Sequence, residues 1–257
     1  MAYRSIDLEV RQGVGWLRFN RTPVNAVDWA MMGEMHDGFV DLVGRPEVRV
    51  VVIASALERY FSAGADIQTF RDTDDDGVRR WIAMAQRLAL AVRAADKPVL
   101  AAINGTAVGG GLEMVLHADL RFAASDARFG QPEVNIAFIP PVGGTQGLVR
   151  LVGRGAAFRI LYDGTLIDAE QALAIGLVDE LVAPETLVDR VQAYATGLAS
   201  KPANALAAIR RCLIDGGAMA FADGLAVEKA QAEALAGHPN FREGIAAFLE
   251  KRKPGWR

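Results

Sequence analysis

Two short apolar runs limit the folds open to this chain more than any other feature. The runs are Val48 to Ile53 and Pro98 to Ile103. Nearly continuous apolar segments of this length are typical of strands that are buried on both faces of a parallel sheet. Between them, residues 78–95 carry apolar side chains at helical spacing. Strands that alternate with helices predict an α/β core.

The rest of the pattern divides the chain into a core and a helical tail. From residue 186 onward almost every segment has helical spacing, with breaks at Lys201-Pro202 and Gly216-Gly217. We therefore predict a core over residues 1–200 and a helical region over residues 201–257. The other predicted elements are a hairpin over 5–10 and 14–20, a helix over 29–43 capped by Asp28, a polar loop over 71–77, an irregular segment over 129–141, and a helix that Asp168 caps and Gly176 ends.

Composition excludes several classes of protein. Of the 257 residues, 51% are hydrophobic and 23% are charged, the profile of a globular protein. The 28 basic and 31 acidic residues give a net charge of −3. The sequence shows no stripe of basic residues of the kind that nucleic-acid-binding proteins carry, so no nucleic-acid partner is expected. Cys212 is the single cysteine, so no internal disulfide is possible, which favours a cytoplasmic location. No apolar run reaches the ~18 residues of a membrane span, so no membrane partner is expected.

The segment Ala102 to Glu113, AINGTAVGGGLE, contains the first candidate site. Gly109, Gly110 and Gly111 leave no side chain between the backbone and a ligand. A helix that begins there offers free N–H groups, which suit a ligand oxygen that gains negative charge. Glu113, one turn into that helix, is placed to act as an acid or a base beside this oxygen.

A second small-residue loop and a second carboxylate extend the candidate site. The loop FSAGADI, residues 61–67, also lets the backbone approach a ligand, although a plain strand-to-helix turn has the same composition. Glu133 lies in FGQPE, among apolar neighbours that disfavour a solvated position. It is 133 − 113 = 20 residues from Glu113, so only tertiary folding brings the two carboxylates together.

Other polar residues support no further chemistry. His117 lies four residues after Glu113, but one His and one Glu make a poor metal site, so a packed, hydrogen-bonded histidine is the better interpretation. Ser62 lacks the sequence context of a serine nucleophile. Asp74 to Asp76 lack the ligand spacing of a calcium loop. The sequence therefore predicts no metal site.

Four motifs in order resemble the enoyl-CoA hydratase/isomerase (crotonase) family over nearly the whole chain: FSAGADI, KPVLAAINGTAVGGGLE, FGQPE and GGTQ, followed by the ending FLEKRKPGW. The resemblance implies a spiral of ββα units with a C-terminal helical region that forms a homotrimer, often doubled to a hexamer. It implies an acyl thioester of coenzyme A (CoA) as the substrate and no separate cofactor. Members with both glutamates are usually hydratases, so the implied activity is hydration of a 2-enoyl-CoA.

The resemblance also implies roles for individual residues. The N–H groups of Ala65 and Gly110 would form an oxyanion hole, Glu113 would be the base toward water, and Glu133 would donate a proton to the alpha carbon. Contacts with CoA are implied for Ala63, Ala65, Asp66, Ile67, Gln68, Gly110, Phe248 and Lys251, the last two from a neighbouring subunit. The family commonly has Lys at the position of Gln68, so one contact with the nucleotide end is expected to be weaker. An ordinary amphipathic helix end would account for Phe248 and Lys251 equally well.

One departure from the family pattern bears on the reaction. Hydratases usually have Gly after the pair Ile139-Pro140, and its N–H helps to hold the catalytic water. Here Pro141 occupies that position, and proline has no N–H. Three alternatives therefore stay open: double-bond isomerisation, which needs no held water, another acyl-CoA lyase reaction, and a weakly active acyl-CoA-binding protein. We expect the acyl pocket along the helix after Asp76, with Trp81 and Met84 in its wall.

Overall fold

Two β-sheets form the centre of the computed structural model of this protein, which describes residues 3–257. The strands of the larger sheet are β1 (Ile6–Arg11), β2 (Val14–Phe19), β3 (Val50–Ser55), β5 (Val99–Ile103), β7 (Leu120–Ala124) and β10 (Glu180–Val182). The strands of the smaller sheet are β4 (Tyr60–Ser62), β6 (Thr106–Val108), β8 (Arg128–Gly130) and β9 (Ile167–Asp168). Each sheet runs in that order from edge to edge.

Helices follow the strands and then make up the whole C-terminal part. The α-helices are α1 (Trp29–Gly44), α2 (Asp75–Ala94), α3 (Gly110–Val115), α4 (Gly144–Leu151), α5 (Gly153–Asp163), α6 (Ala169–Ala174), α7 (Leu187–Ala199), α8 (Ala203–Ile214), α9 (Phe221–Ala236) and α10 (Pro239–Glu250). Short 3₁₀ turns lie at Ile67–Phe70, Pro132–Ile136, Pro184–Thr186 and Gly216–Ala218. Among the described residues, no helix is long and apolar enough to cross a membrane.

A repeated ββα unit generates the architecture. Strand β3 is followed by β4 and α2, β5 by β6 and α3, and β7 by β8 and a 3₁₀ turn. In each unit the first strand joins the larger sheet and the second joins the smaller one. Neighbouring strands from successive units are parallel in both sheets. The chain therefore winds as a spiral, which confirms the predicted α/β fold of ββα units.

Burial of the larger sheet explains the apolar runs. Val50, Val51 and Val52 of β3 are fully inaccessible to solvent because helices or the smaller sheet cover both faces. The hairpin of β1 and β2 is antiparallel, as predicted. Trp16 in β2 is also fully buried, and its indole Nε1 donates to Oε1 of Gln192 on α7 at 2.8 Å. The core thus extends from the sheet to the first C-terminal helix.

Most of the predicted element ends are confirmed, together with their caps. The side chain of Asp28 accepts a hydrogen bond from the backbone of Met31 at the start of α1. Asp168 forms a capping box at the start of α6, and Gly176 after α6 has a φ of 77°. The breaks predicted at Lys201-Pro202 and Gly216-Gly217 lie between helices.

Two predictions of local structure were wrong. The polar segment 71–77 is not all loop, because Asp74 accepts a hydrogen bond from the backbone of Gly77 and so starts α2 at Asp75. The segment 129–141 is not simply irregular, since it contains the end of β8 and a 3₁₀ turn. The sequence pattern did not locate the strands of the smaller sheet, because strands of two or three residues are too short to show a period.

One buried arginine joins the C-terminal helices to the core. Arg210 on α8 is 6% exposed, and its guanidinium donates to the carbonyl oxygens of Val92, Arg93 and Ala95 at the end of α2. The same group pairs with the carboxylate of Asp119 at 2.9 Å. The cation therefore satisfies carbonyl groups that the end of a helix leaves without partners.

Candidate active site

A cavity of about 480 Å³ lies beside the start of α3, between the ββα units and α1 and α2. Its wall contains both predicted backbone loops and both predicted glutamates, which are far apart in sequence. The lining residues are mostly apolar and comprise Val27, Met32, Met35, Ala63, Ala65, Ile67, Phe70, Val78, Trp81, Ile82, Ala85, Gly109, Gly110, Glu113, Met114, Pro132, Glu133, Asn135, Ile136, Phe138, Pro141 and Val142. Tertiary folding therefore brings Glu113 and Glu133 to one site, as predicted.

The two small-residue loops touch each other at one end of the cavity, where glycine is required. Gly64 has a φ of +82°, and a Cβ there would lie 2.8 Å from the carbonyl oxygen of Val108. Gly109 has a φ of +53°, and a Cβ there would lie 2.9 Å from Oε1 of Glu133. Any side chain at either position would thus be strained and would strike the backbone or a candidate catalytic group.

Two backbone N–H groups at these loops are free to bind a ligand. The nitrogens of Ala65 and Gly110 donate no hydrogen bond to another residue in the range 3–257. A Cβ built on Gly110 would lie 3.8 Å from the nitrogen of Ala65, so the two peptide groups are close neighbours. Since backbone donors inside proteins are almost always paired, two unpaired ones that line a cavity indicate a site for an anionic oxygen.

Glu113 is buried at the wall of the cavity, with 1% of its surface exposed. One carboxylate oxygen, Oε1, accepts from the backbone nitrogen of Val142 at 2.6 Å and from that of Gly144 at 2.8 Å. Burial raises the pKa of Glu113 to about 8, although the two backbone donors oppose the shift and the nearby charge of Glu133 adds to it. Glu113 is therefore a group that exchanges a proton near neutral pH.

Glu133 faces the glycine loop from the 3₁₀ turn that follows β8. Burial also raises its pKa, and its own backbone N–H opposes that shift. With its amide nitrogen turned toward the carboxylate, Gln131 donates to the two oxygens of Glu133 at 3.0 and 3.2 Å. Two carboxyl groups with raised pKa values on one cavity are able to divide the roles of acid and base.

The far part of the cavity is apolar and aromatic. The ring of Trp81 packs edge-on against Phe70 and against Trp29, with centroids 5.2 and 5.1 Å away. Trp81 lines the cavity, as predicted from the helix after Asp76. Met84 does not, because its methyl end turns toward Gly33 on α1.

The predicted CoA contacts fall into three groups. Ala63, Ala65, Ile67 and Gly110 line the cavity, and Ile67 is 60% exposed at its mouth. Asp66 and Gln68 lie next to them, but the carboxylate of Asp66 already accepts from the backbone of Gln68 and pairs with Arg21 at 3.0 Å. Phe248 and Lys251 are not part of this cavity; Phe248 lines a separate apolar groove at α10 and is 84% exposed.

Several groups at the site escaped the sequence prediction. The backbone of Val142 and Gly144 holds Glu113, and Gln131 contacts Glu133. His117 is buried and hydrogen-bonded to the carbonyl of Val142, which confirms that it is a packed histidine. The two glycines of GGTQ were a signal for the loop, but nothing in the sequence indicates which carboxylate the loop binds.

Pro141 lies in the cavity wall, and its place in a loop that positions water stays a prediction. Its carbonyl oxygen accepts from Nε2 of Gln86 at 2.8 Å, and its nitrogen has no hydrogen to offer. Across residues 3–257, no three His, Cys, Asp or Glu side chains come together in a way that could hold a metal ion.

The spiral of ββα units, with a cavity beside the start of α3, defines a protein of the crotonase fold class. Residues 9–257 match the family described as enoyl-CoA hydratase/isomerase, and the chain belongs to that family.

Relatives and solved structures agree with this assignment. The chain is 36% identical over 254 residues to a crotonyl-CoA hydratase of Syntrophomonas wolfei, with 98% of each chain covered. It is 32% identical to a short-chain-enoyl-CoA hydratase of Clostridium acetobutylicum, with 98% of this chain and 97% of the relative covered. The crystal structure of an enoyl-CoA hydratase from Bacillus anthracis has a TM-score of 0.95 at 32% identity, covering 98% and 99% of the two chains.

Proposed function

We propose that this protein is an enoyl-CoA hydratase, a lyase that adds water across the double bond of a 2-enoyl-CoA thioester. The observation that carries this proposal is the arrangement of Glu113 and Glu133 around one cavity whose wall offers the free amides of Ala65 and Gly110. The thioester carbonyl would sit at the two amides, with the alpha and beta carbons between the glutamates. The aromatic end of the cavity would hold the rest of the acyl chain.

The reaction needs a stabilised oxyanion and a balanced transfer of protons. As the oxygen of water bonds to the beta carbon, electron density moves to the thioester oxygen, where two N–H donors stabilise it. One carboxylate takes the proton that water loses, and the other carboxyl group gives a proton to the alpha carbon. The pair therefore starts and ends with one proton. The assignment of Glu113 as the base and Glu133 as the acid stays a prediction. Burial of Glu113 opposes it, because burial favours the protonated form and a base must start without its proton.

We expect a bell-shaped pH profile for kcat/KM. Glu113 has a pKa of about 8, so raising the pH through 8 removes the proton of the pair and activity falls. Lowering the pH through the pKa of Glu133, which is raised above 4.5, protonates both groups and activity falls again. Initial rates measured between pH 5 and pH 10 test this expectation. A profile that stays level through pH 7–9 would contradict it.

Replacing Pro141 with Gly is expected to raise the rate of crotonyl-CoA hydration. A glycine would supply an N–H for the catalytic water, and one such bond is worth about 0.5–1.5 kcal/mol, or roughly a two- to tenfold rate change. The carbonyl at this position already bonds to Gln86, which helps to keep the loop in place. An unchanged or lower kcat would mean that the missing donor does not limit the reaction.

A panel of acyl-CoA substrates, followed by the ultraviolet absorbance of the conjugated thioester, tests the proposed function. Loss of absorbance with 2-enoyl-CoA substrates of different length and shape would support hydration and reveal the acyl preference. Isomerisation is the second candidate, because Pro141 lacks a donor for water and proton shuttling needs none. Conversion of 3-enoyl-CoA without hydration of 2-enoyl-CoA would favour it, and binding without any turnover would leave only an acyl-CoA-binding protein.

The proposal extends to CoA binding and assembly. We place the bent CoA along Ala65 to Gln68, near its adenine end, with Phe248 and Lys251 of a second copy reaching the same ligand. Large apolar side chains exposed on the region 201–257 favour assembly into a trimer or a dimer of trimers; they include Phe221, Phe248 and Leu249 at 83%, 84% and 73% exposure. Light scattering on the purified protein tests the oligomeric state, and a monomer would contradict it.

A further inference from the structure

His117 holds the loop that holds Glu113, and we propose that it is a positioning residue for the acid–base pair. The imidazole fixes the backbone of residues 142–144, and that backbone fixes the orientation of the Glu113 carboxylate. The proposal rests on the proposed function only in that it takes the rate of the wild-type reaction as its readout. His117 itself does not line the cavity.

The contact between His117 and the loop is short and buried. The side chain is 7% exposed, and Nε2 lies 2.7 Å from the carbonyl oxygen of Val142. Because a carbonyl oxygen only accepts, Nε2 carries the hydrogen and donates. The loop also packs closely against the ring, since a Cβ built on Gly143, whose φ is +102°, would fall 2.7 Å from Cε1 of His117. The hydrogen bond and the close packing thus both restrict the position of the loop.

That loop position decides which oxygen of Glu113 is available. The N–H groups of Val142 and Gly144 both point at Oε1, at 2.6 and 2.8 Å. Two donors occupy both lone pairs of that oxygen. The other oxygen, Oε2, accepts from no residue in the described part of the chain. Oε2 is therefore the oxygen left to exchange a proton or to bind water.

A second, weaker contact holds the other side of the same loop. Nε2 of Gln86 donates to the carbonyl of Pro141 at 2.8 Å, and in a planar trans peptide the N–H of Val142 points the opposite way, toward Glu113. Gln86 is exposed, so water competes for this bond. The bond from His117 is buried and therefore contributes more to holding the loop.

The role of His117 is that of a neutral donor. Burial lowers its pKa, and the charge of Arg93 acts in the same direction, while the bond to the Val142 carbonyl opposes them. The ring is thus uncharged at the pH values where Glu113 exchanges its proton. An apolar residue of similar size would fill the same space without a polar group to desolvate, so the requirement that favours His here is the N–H.

Replacing His117 with Phe and with Gln separates positioning from space filling. His117→Phe keeps a ring and removes the donor, whereas His117→Gln restores a donor near the position of Nε2. We expect His117→Phe to lower kcat about ten- to a hundredfold, the cost of a misplaced catalytic group, with KM changed less than about twofold. The alkaline limb of the pH profile of this variant should move above pH 8. The reason is that Glu113 loses the two backbone hydrogen bonds, from Val142 and Gly144, that favour its charged form. His117→Gln should recover most of both effects.

Two further variants keep the test decisive. His36→Phe removes a partly buried histidine on α1, outside the cavity, and should leave kcat and the pH profile unchanged. Gly143→Ala should displace the loop while His117 itself is unchanged, because the new Cβ would clash with the ring. It should therefore reproduce the lower kcat and the shifted alkaline limb of the pH profile. This variant provides the test if thermal unfolding shows that His117→Phe does not fold. The proposal would be overturned if His117→Phe or Gly143→Ala had the kcat and the alkaline limb of the wild type. It would also be overturned if His117→Gln lost as much activity as His117→Phe. A wild-type protein that converts no acyl-CoA would instead overturn the proposed function.

Discussion

Glutamine in place of Glu113 is expected to lower kcat for hydration about 10²- to 10⁴-fold, the range for losing a positioned acid or base. The amide oxygen of the new side chain is still able to accept from Val142 and Gly144, so the loop should keep its place while proton exchange stops. Glu133→Gln should have an effect of similar size. Because both groups act in the same addition of water, the double variant should be little worse than either single variant. Stopped-flow or steady-state rates on the same 2-enoyl-CoA measure all three.

Stability measurements provide the control for these variants. The pKa of Glu113 is raised from 4.5 to about 8 on folding, so the folded state binds the proton more tightly and wild-type stability falls as the pH rises from 4.5 through 8. An amide has no such proton to lose, so Glu113→Gln should be at least as stable as the wild type at pH 8. Substantial activity in a folded Glu113→Gln, Glu133→Gln double variant would mean that these carboxylates do not carry the reaction.

Leucine in place of Arg210 is expected to lower the free energy of unfolding by about 3–5 kcal/mol. The change removes the donor to three carbonyl groups at the end of α2 and leaves the carboxylate of Asp119 without its cation. The effect should lie near the lower end of that range, because the side chain of Asp119 is 25% exposed and water compensates part of the loss. The midpoint of urea unfolding at pH 7, with its slope, measures the change.

Arg211→Leu is the matched control for Arg210. Arg211 is the next residue of α8 and is exposed, so the same substitution there should change stability by less than about 0.5 kcal/mol. Equal stability of the two variants would show that the buried guanidinium does not hold the helical region to the core.

The parts of the site that could be predicted are those with a local signature. Gly109 to Gly111 and the loop around Gly64 could be predicted as ligand-binding backbone. A backbone segment that a ligand approaches closely has no room for side chains, and the glycines that this requires are visible in the sequence. Glu113 stood out for its place after those glycines. Its partners at Val142 and Gly144 could not be identified, because a backbone N–H is the same in every residue and only its direction in space distinguishes it.

The α/β core, most helix ends and caps, the two candidate glutamates and the family could all be predicted before folding was considered, because periodicity, capping and motif spacing are local properties. The folded chain was needed to show that Met84 lies outside the cavity, that strands of two or three residues form a second sheet, and that His117 donates to the loop that binds Glu113. These depend on contacts between distant segments. Burial, which sets the pKa of Glu113 to about 8, is likewise a property of the packed chain and of no segment alone.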